Sequence, residues 1–205
     1  MENFWDIFDP QSIIEWGGIF LLLFVVFAET GLFIGFFLPG DSLIFVSGMI
    51  GPRLLGMHIA VVLALLVVSA ALGNLFGYWF GRRTGPALFT KNDNFIFKKR
   101  YVKITQAFYE KHGGKTLVLG RFLPIIRTFA PILAGVIKID FGKFMLYNII
   151  GAVSWVTSVG LAGYYLGTIS WVQTNVEYII IGLIIVTLIP IVTTYRRQKR
   201  TQNDQ

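Results

Sequence analysis

Four ionisable residues lie within otherwise apolar segments of this sequence: Glu29, Asp41, Arg121 and Arg127. A charged side chain at the centre of a bilayer costs about 2.5–3.5 kcal/mol on insertion scales, so burial of all four without partners is excluded if these segments enter a membrane. The two acids belong to the first half of the chain and the two arginines to the second. We therefore expect the acids to face the arginines, either as purely structural salt bridges or as a working site.

These residue types suit the transport of a phosphate-bearing lipid. Arginine stays protonated at physiological pH and its planar guanidinium offers paired donors to phosphate, so Arg121 and Arg127 are the predicted headgroup-binding residues. Arginine cannot shuttle protons. A carboxylate can, because burial favours its protonated form while a neighbouring arginine favours its ionised form. Glu29 and Asp41 are therefore the predicted proton-coupling residues.

Proline and glycine residues near these charges predict breaks in the helices that carry them. Six positions along a continuous helix separate two side chains by about 240°, so Arg121 and Arg127 can share a site only if the helix between them is broken. A proline inside a helix removes a backbone hydrogen bond and kinks or ends the helix. The predicted breaks are at Pro39, Gly40, Pro124 and Pro131.

Long stretches without charge predict that the chain spans a membrane. Lys, Arg, Asp and Glu are absent from the 28 positions after Arg53, the 33 after Lys143 and the 18 after Glu177. A transmembrane helix needs about 20 apolar residues. Charged residues make up 14% of the chain, against roughly 25% in soluble proteins. This composition excludes a disordered chain and a cytosolic enzyme, and the absence of cysteine excludes a secreted disulfide scaffold.

The positive charge is concentrated at the ends of the apolar stretches. Nine basic and two acidic residues lie from Arg82 to Lys115, and four more basic residues lie from Arg196 to Arg200. The positive-inside rule places both clusters in the cytoplasm, which explains the net charge of +7 without nucleic acid as a partner. The chain between the clusters must then cross the membrane an even number of times. Three apolar stretches lie there, 116–137, 144–167 and 178–194, so one of them must enter and leave on the same side. We assign this re-entrant hairpin to Thr116–Ile137.

A weak internal repeat divides the chain into two similar halves. The triplet Phe-Leu-Pro at 37–39 recurs 85 positions later, and the pattern at 75–81 recurs 86 positions later. Each half would hold a proline-broken hairpin and one spanning helix, and one crossing per half inverts the second half relative to the first, as in many secondary transporters. The alternative is that small residues recur through membrane composition alone. The predicted spanning helices are Met57–Phe80 and Phe144–Gly167.

The predicted fold class is an all-α polytopic membrane protein with two inverted repeats and an extra C-terminal transmembrane helix. The first 16 residues carry four acids and no base, so we expect the N-terminal segment to be retained rather than cleaved as a signal peptide. Whether 13–28 spans the membrane stays open, as does the side of the N-terminus. The connector is predicted to be an amphipathic cytoplasmic helix, with a solvated loop as the alternative. The predicted segments of this single domain are 13–85 (first repeat with the N-terminal segment), 91–112 (connector), 114–170 (second repeat), 178–195 (C-terminal transmembrane helix) and 196–205 (cytoplasmic tail).

A set of motifs surrounds the four charges. Its members are Ala28-Glu29-Thr30, Phe37–Asp41, Gly77–Arg82, Tyr109–Lys115 and Gly120–Thr128, with Pro131 and Ala134-Gly135. Together they resemble the DedA family of bacterial inner-membrane proteins, which is related to the VTT-domain lipid scramblases of eukaryotes. That family is linked to membrane-potential maintenance, proton-coupled transport and the flipping of undecaprenyl phosphate or phosphatidylethanolamine. The resemblance implies that Glu29, Asp41, Arg121 and Arg127 are functionally essential, and it does not fix the lipid.

The predicted function is a flippase that moves a phosphate-bearing lipid, in first place undecaprenyl phosphate, across the bacterial cytoplasmic membrane with proton coupling. A phosphatidylethanolamine flippase and a proton-coupled transporter of a small solute or ion are the alternatives. An enzyme is not expected, since the only histidines are His58 and His112 and no catalytic, metal or phosphate-loop motif is found. The expected partners are the lipid and protons, with no cofactor, metal or nucleic acid. The oligomeric state is left open, and a homodimer is one option.

Overall fold

The computed structural model describes residues 10–32, 40–90, 109, 114–122, 124–175, 178–179 and 182. These ranges are mainly helical and contain no β-strand, which confirms the predicted all-α class over the described part of the chain. In chain order the helices are α1 (Pro10–Gly31), α2 (Gly40–Met49), α3 (Gly51–Leu54), α4 (Ile59–Thr90), α5 (Lys115–Leu119), α6 (Pro124–Val136), α7 (Phe141–Leu166) and α8 (Ser170–Thr174).

Two of these helices are long and apolar enough to cross a membrane. The apolar part of α4 covers 27 residues and α7 covers 26, and both exceed the roughly 20 residues that a bilayer requires. They confirm the two predicted spanning helices, but the ends differ. α4 extends to Thr90 rather than Phe80, and α7 begins at Phe141 rather than Phe144. α7 begins at Phe141 because the side chain of Asp140 caps it, accepting a hydrogen bond from the backbone N–H of Lys143 at 3.0 Å.

Helix α1 has a kink near its start. Gly18 has φ 55° and ψ −151°, a conformation outside the helical region that glycine adopts without a steric penalty. The apolar portion Gly17–Gly31, which begins at the kink, falls short of the length needed to cross a bilayer as a straight helix. The structure therefore contains a kinked helix over 13–28, the segment for which the sequence left open whether it spans the membrane.

The segment predicted as a re-entrant hairpin consists of two short helices joined by a tight turn. α5 ends at Leu119, a 3-10 turn covers Gly120–Phe122, and α6 begins at Pro124. Proline is suited to this first position because a backbone N–H is not needed there. α6 then continues through Pro131, which corrects the break predicted at that residue. A proline removes one backbone hydrogen bond, and packing against neighbouring helices holds α6 together across it.

The helices of the two halves pack crosswise. α2, from the first half, lies against α7, and α6, from the second half, lies against α4. Glycine permits both contacts: a Cβ atom on Gly163 would lie 2.0 Å from the carbonyl oxygen of Phe45. One on Gly135 would lie 2.0 Å from the carbonyl oxygen of Tyr78. Small residues at such crossings let helix backbones approach closely, as is common in membranes.

Several predicted features lie outside the described residues. Of the connector at 91–112 only Tyr109 is described, and of the C-terminal helix at 178–195 only three residues are described. Pro39 and the tail at 196–205 are not described. The connector, the C-terminal helix and the tail therefore stay predictions.

Candidate functional site

Three of the four predicted site charges meet in one cluster, which we call the carboxylate cluster. Arg127, on α6, places Nη1 2.6 Å from Oδ1 of Asp41, at the start of α2, and donates through Nη2 to Oε1 of Glu29, near the end of α1. The side chains of Arg127 and Glu29 are 4% and 2% exposed, whereas that of Asp41 is 23% exposed. The expectation that the acids of the first half face an arginine of the second is confirmed for Arg127.

Trp155, on α7, completes the carboxylate cluster. Its ring centroid lies 4.5 Å from the guanidinium carbon of Arg127, within cation–π range. Its indole N–H donates to Oδ1 of Asp41 at 3.0 Å. Trp155 therefore contacts both members of one ion pair. It carries no charge, so a search for charges in apolar segments misses it. The available signal is its place well inside an uncharged run, away from the interfaces where tryptophan is usual.

Arg121 lies apart from the carboxylates and contacts two asparagines. It belongs to the 3-10 turn and is 2% exposed. It donates through Nη2 to Oδ1 of Asn148, on α7, and its guanidinium also contacts the amide of Asn74, on α4. Among the described residues no carboxylate lies within ion-pair distance of it. The expectation of an acidic partner is therefore wrong for Arg121, because both acids are bound to Arg127.

The two asparagines are fixed by contacts with the long helices. Both are buried, and their amide groups lie 3.1 Å apart. The Nδ2 of Asn148 donates to the carbonyl oxygen of Ala71 on α4 at 3.0 Å. Charge patterns in the sequence do not find these residues. The signal that could have found them is an amide side chain inside each of the uncharged runs that form α4 and α7.

A narrow cavity lies beside the two arginines. The break before α6 lets Arg121 and Arg127 line the same space, so the predicted convergence occurs, and the cavity has room for about one water molecule. Pro131 lines this cavity instead of ending a helix. The lining residues are Asn74, Leu117, Arg121, Arg127, Ala130, Pro131, Phe144 and Asn148.

The chemistry available to this site is anion binding and proton exchange. Within the described ranges no group of three or more His, Cys, Asp or Glu side chains is arranged to hold a metal ion. The two carboxylates that come together, Glu29 and Asp41, both bind Arg127. The amides and guanidinium groups around the cavity provide hydrogen-bond donors of the kind that phosphate oxygens accept.

We expect the substitution Gly40→Ala to separate Glu29 from Arg127. A Cβ atom at position 40 would lie 1.2 Å from Oε2 of Glu29, and this carboxylate cannot move away while it stays bound to Arg127. The expected loss is about 1–3 kcal/mol, as for other overpacked sites, measured as a lower melting temperature in detergent. Gly51→Ala is the matched control, because the nearest atoms lie 3.8 Å from its Cβ position. Equal melting temperatures for the two variants would contradict the role assigned to Gly40.

Comparison with known proteins places this site in a family context. The model of the VTT domain matches residues 38–165, a range that includes Asp41, both arginines and Trp155. Protein DedA of Escherichia coli K12 is 42% identical over 200 residues, which cover 95% of the chain and 90% of that relative.

More distant relatives also match most of the chain. An uncharacterized membrane protein of Mycobacterium tuberculosis is 39% identical over 206 residues, covering 97% of the chain and 90% of the relative. The inner membrane protein YqjA of Escherichia coli K12 is 31% identical over 167 residues, covering 81% of the chain and 74% of the relative. No solved structure matches the chain.

Proposed function

We propose that this chain, which belongs to the DedA family of VTT-domain membrane proteins, is a lipid translocase of the bacterial cytoplasmic membrane. The proposed substrate is a phosphate-bearing lipid, and undecaprenyl phosphate is the first candidate. The observation that carries the proposal is the pair of buried arginines, Arg121 and Arg127, that line one cavity beside two carboxylates. Relatives that are named inner membrane proteins support the location.

The charges of the site favour a phosphate monoester over a zwitterionic headgroup. Two guanidinium groups can neutralise a phosphate monoester, which carries between one and two negative charges near neutral pH. Phosphatidylethanolamine also carries a phosphate group, but it brings an ammonium group that a pair of arginines repels. We therefore place undecaprenyl phosphate before phosphatidylethanolamine.

The helix lengths support two inverted repeats. α6 has 13 residues and is about 20 Å long, while the hydrocarbon core of a bilayer is about 30 Å thick. α2 is shorter still, with 10 residues. On this proposal each is one arm of a re-entrant hairpin, and α4 and α7 provide the single crossing of each half. One crossing per half makes the two halves opposite in orientation.

The size of the cavity implies a conformational cycle. A phosphate group carries four oxygens and exceeds a space that holds about one water molecule. The cavity must therefore widen before it admits a headgroup. A movement of one repeat against the other would open it to one side of the membrane at a time, as in transporters built from inverted repeats. The lipid tail can stay in the bilayer while the headgroup passes.

Arg127 links the lipid to the proton in this mechanism. With Glu29 and Asp41 ionised, they and the two arginines sum to zero charge. Protonation of either acid releases part of the Arg127 guanidinium and leaves the site with a net charge of +1, which favours an anion. Loss of that proton restores the ion pairs and expels the phosphate. The lipid is moved without chemical change, so the protein is not an enzyme and needs no cofactor on this proposal.

A second candidate is proton-coupled transport of a small solute or ion. The observation that favours it is the narrowness of the cavity, which accommodates a small ion with less rearrangement than a lipid headgroup. The same carboxylates would exchange the proton in both cases.

The test is transport by the purified protein in liposomes. We expect translocation of labelled undecaprenyl phosphate that exceeds that of labelled phosphatidylethanolamine and of phosphate ions. Arg121→Lys and Arg127→Lys should each slow it by about tenfold or more, because an ammonium cannot supply the planar fork of donors. Arg53→Lys, at an exposed position, is the control. Transport of phosphate ions without lipid would favour the second candidate, and transport of neither lipid would refute the proposed lipid translocase.

A further inference from the structure

We infer that Asn74 and Asn148 hold Arg121 as the receptor for the lipid phosphate, while Arg127 is reserved for the carboxylates. This inference rests on the proposed function and assigns a different role to each arginine: Arg121 binds the phosphate, and Arg127 binds the carboxylates that exchange the proton. Asn74 and Asn148 are positioning residues here, because they act on the ligand through the orientation of Arg121. The ligand is the phosphate group of a lipid monoester.

The first support is the unused donor of Arg121. Its Nη2 is bound to Asn148, but its Nη1 is buried and has no hydrogen-bond partner among the described residues. A buried guanidinium nitrogen without an acceptor is costly, and an incoming anion would satisfy it. Since Arg121 lines the cavity, its free donor capacity is available to a ligand there.

The second support is the contrast with Arg127. Both of its terminal nitrogens already donate to carboxylates, one to Asp41 and one to Glu29, and only its Nε lacks a partner among the described residues. An anion that approaches Arg127 would have to displace these carboxylates and would be repelled by them. Arg121 has no acid within ion-pair distance in the described part of the chain, so an anion that binds it displaces no carboxylate.

The third support is the chemistry of an amide partner. A buried arginine is usually paired with a carboxylate, which orients it and cancels its charge. An asparagine oxygen also orients the guanidinium, but it leaves the positive charge uncancelled. The other end of the Asn148 amide donates to the carbonyl oxygen of Ala71 at 3.0 Å, so its oxygen must face Arg121. The structure thus combines a fixed orientation with a full positive charge.

The substitution Asn148→Asp tests whether the neutral amide keeps the charge of Arg121 available to the phosphate. It keeps the size of the side chain and the oxygen that faces Arg121, and it adds a negative charge. It also replaces the donor to the carbonyl oxygen of Ala71 with an oxygen, a loss that we expect the new ion pair with Arg121 to offset. If Asn148 serves only the fold, the new ion pair should leave both stability and ligand binding intact. If it preserves the charge of Arg121 for the ligand, the melting temperature in detergent should hold, and the affinity for farnesyl phosphate should fall by about 10- to 100-fold. Binding is measured by calorimetry with the purified full chain, and farnesol, which lacks the phosphate, is the blank.

Matched variants separate this effect from a general effect of charge. Asn175→Asp adds the same charge near the end of α8, outside the cavity, and should bind farnesyl phosphate like the wild type. Asn74→Asp adds it at the second amide that contacts Nη2 of Arg121 and should reproduce the loss. Normal binding by both cavity variants would overturn the inference and leave the proposed function in place. Failure of both to fold would also overturn it, because an added ion pair with Arg121 is expected to hold the fold. Absence of binding by the wild type would refute the proposed function itself.

Discussion

Replacing Arg127 with methionine is expected to cost about 3–5 kcal/mol of folding free energy, the usual effect of removing one partner from a buried ion pair. Arg127 binds Glu29 and Asp41 together, and Glu29 is almost fully buried. Its removal leaves two acids close to each other without a counter-charge. The melting temperature of the purified variant in detergent, and its abundance in the membrane, should both fall sharply.

A triple variant separates the fold from the function. Arg127→Met combined with Glu29→Gln and Asp41→Asn removes all three charges of the carboxylate cluster at once, so none of its members is left as an unpaired charge. Its melting temperature should recover most of the loss, because a buried ion pair can often be replaced by neutral residues at little cost. Lipid transport should stay absent. A single Arg127→Met variant as stable as the wild type would contradict the carboxylate cluster described here.

The amide variants Glu29→Gln and Asp41→Asn are expected to abolish the response of transport to pH. With both acids ionised the site is neutral, and protonation of one gives it a net positive charge that favours phosphate. Transport by the wild type should therefore rise when the outer solution of the liposomes is acidified and fall when it is made alkaline. An amide imitates the protonated acid permanently, so each variant should bind the headgroup and respond little to pH.

The control for this experiment is Asp140→Asn. Asp140 is exposed and caps α7, and asparagine caps helices about as well as aspartate, so its transport should keep the pH response of the wild type. If the two site variants also keep that response, Glu29 and Asp41 are structural partners of Arg127 and the proton must be carried elsewhere.

The sequence predicts which charges matter better than it predicts their partners. Four charges in apolar segments have to be compensated, and this requirement identifies Glu29, Asp41 and Arg127 as a group. It cannot assign Arg121, because the partners of that residue are neutral amides whose placement depends on the packing of α4 and α7. A pattern of charged residues does not identify uncharged hydrogen-bond donors such as the indole of Trp155.

The sequence also predicts the positions of the long helices better than it predicts their ends. Uncharged stretches locate α4 and α7, but they exclude the first turn of α7, since Lys143 lies there and is held by the cap at Asp140. At Pro131 the error is the reverse: the residue type predicts that the helix breaks, but the helix continues because it packs against its neighbours. Both differences arise from contacts between segments, which a local pattern does not contain.

The crosswise packing of the halves has a consequence for biosynthesis. About 120 residues separate the end of α2 from the end of α7, the helix against which it packs. At a synthesis rate of about 5–20 residues per second, the synthesis of α7 is complete roughly 6–24 s after that of α2. Until Arg127 is synthesised within this interval, Glu29 and Asp41 lack their partner, so the nascent first half has to keep them protonated, hydrated or sheltered by the insertion machinery. The first half therefore cannot be a finished folding unit when it leaves the ribosome.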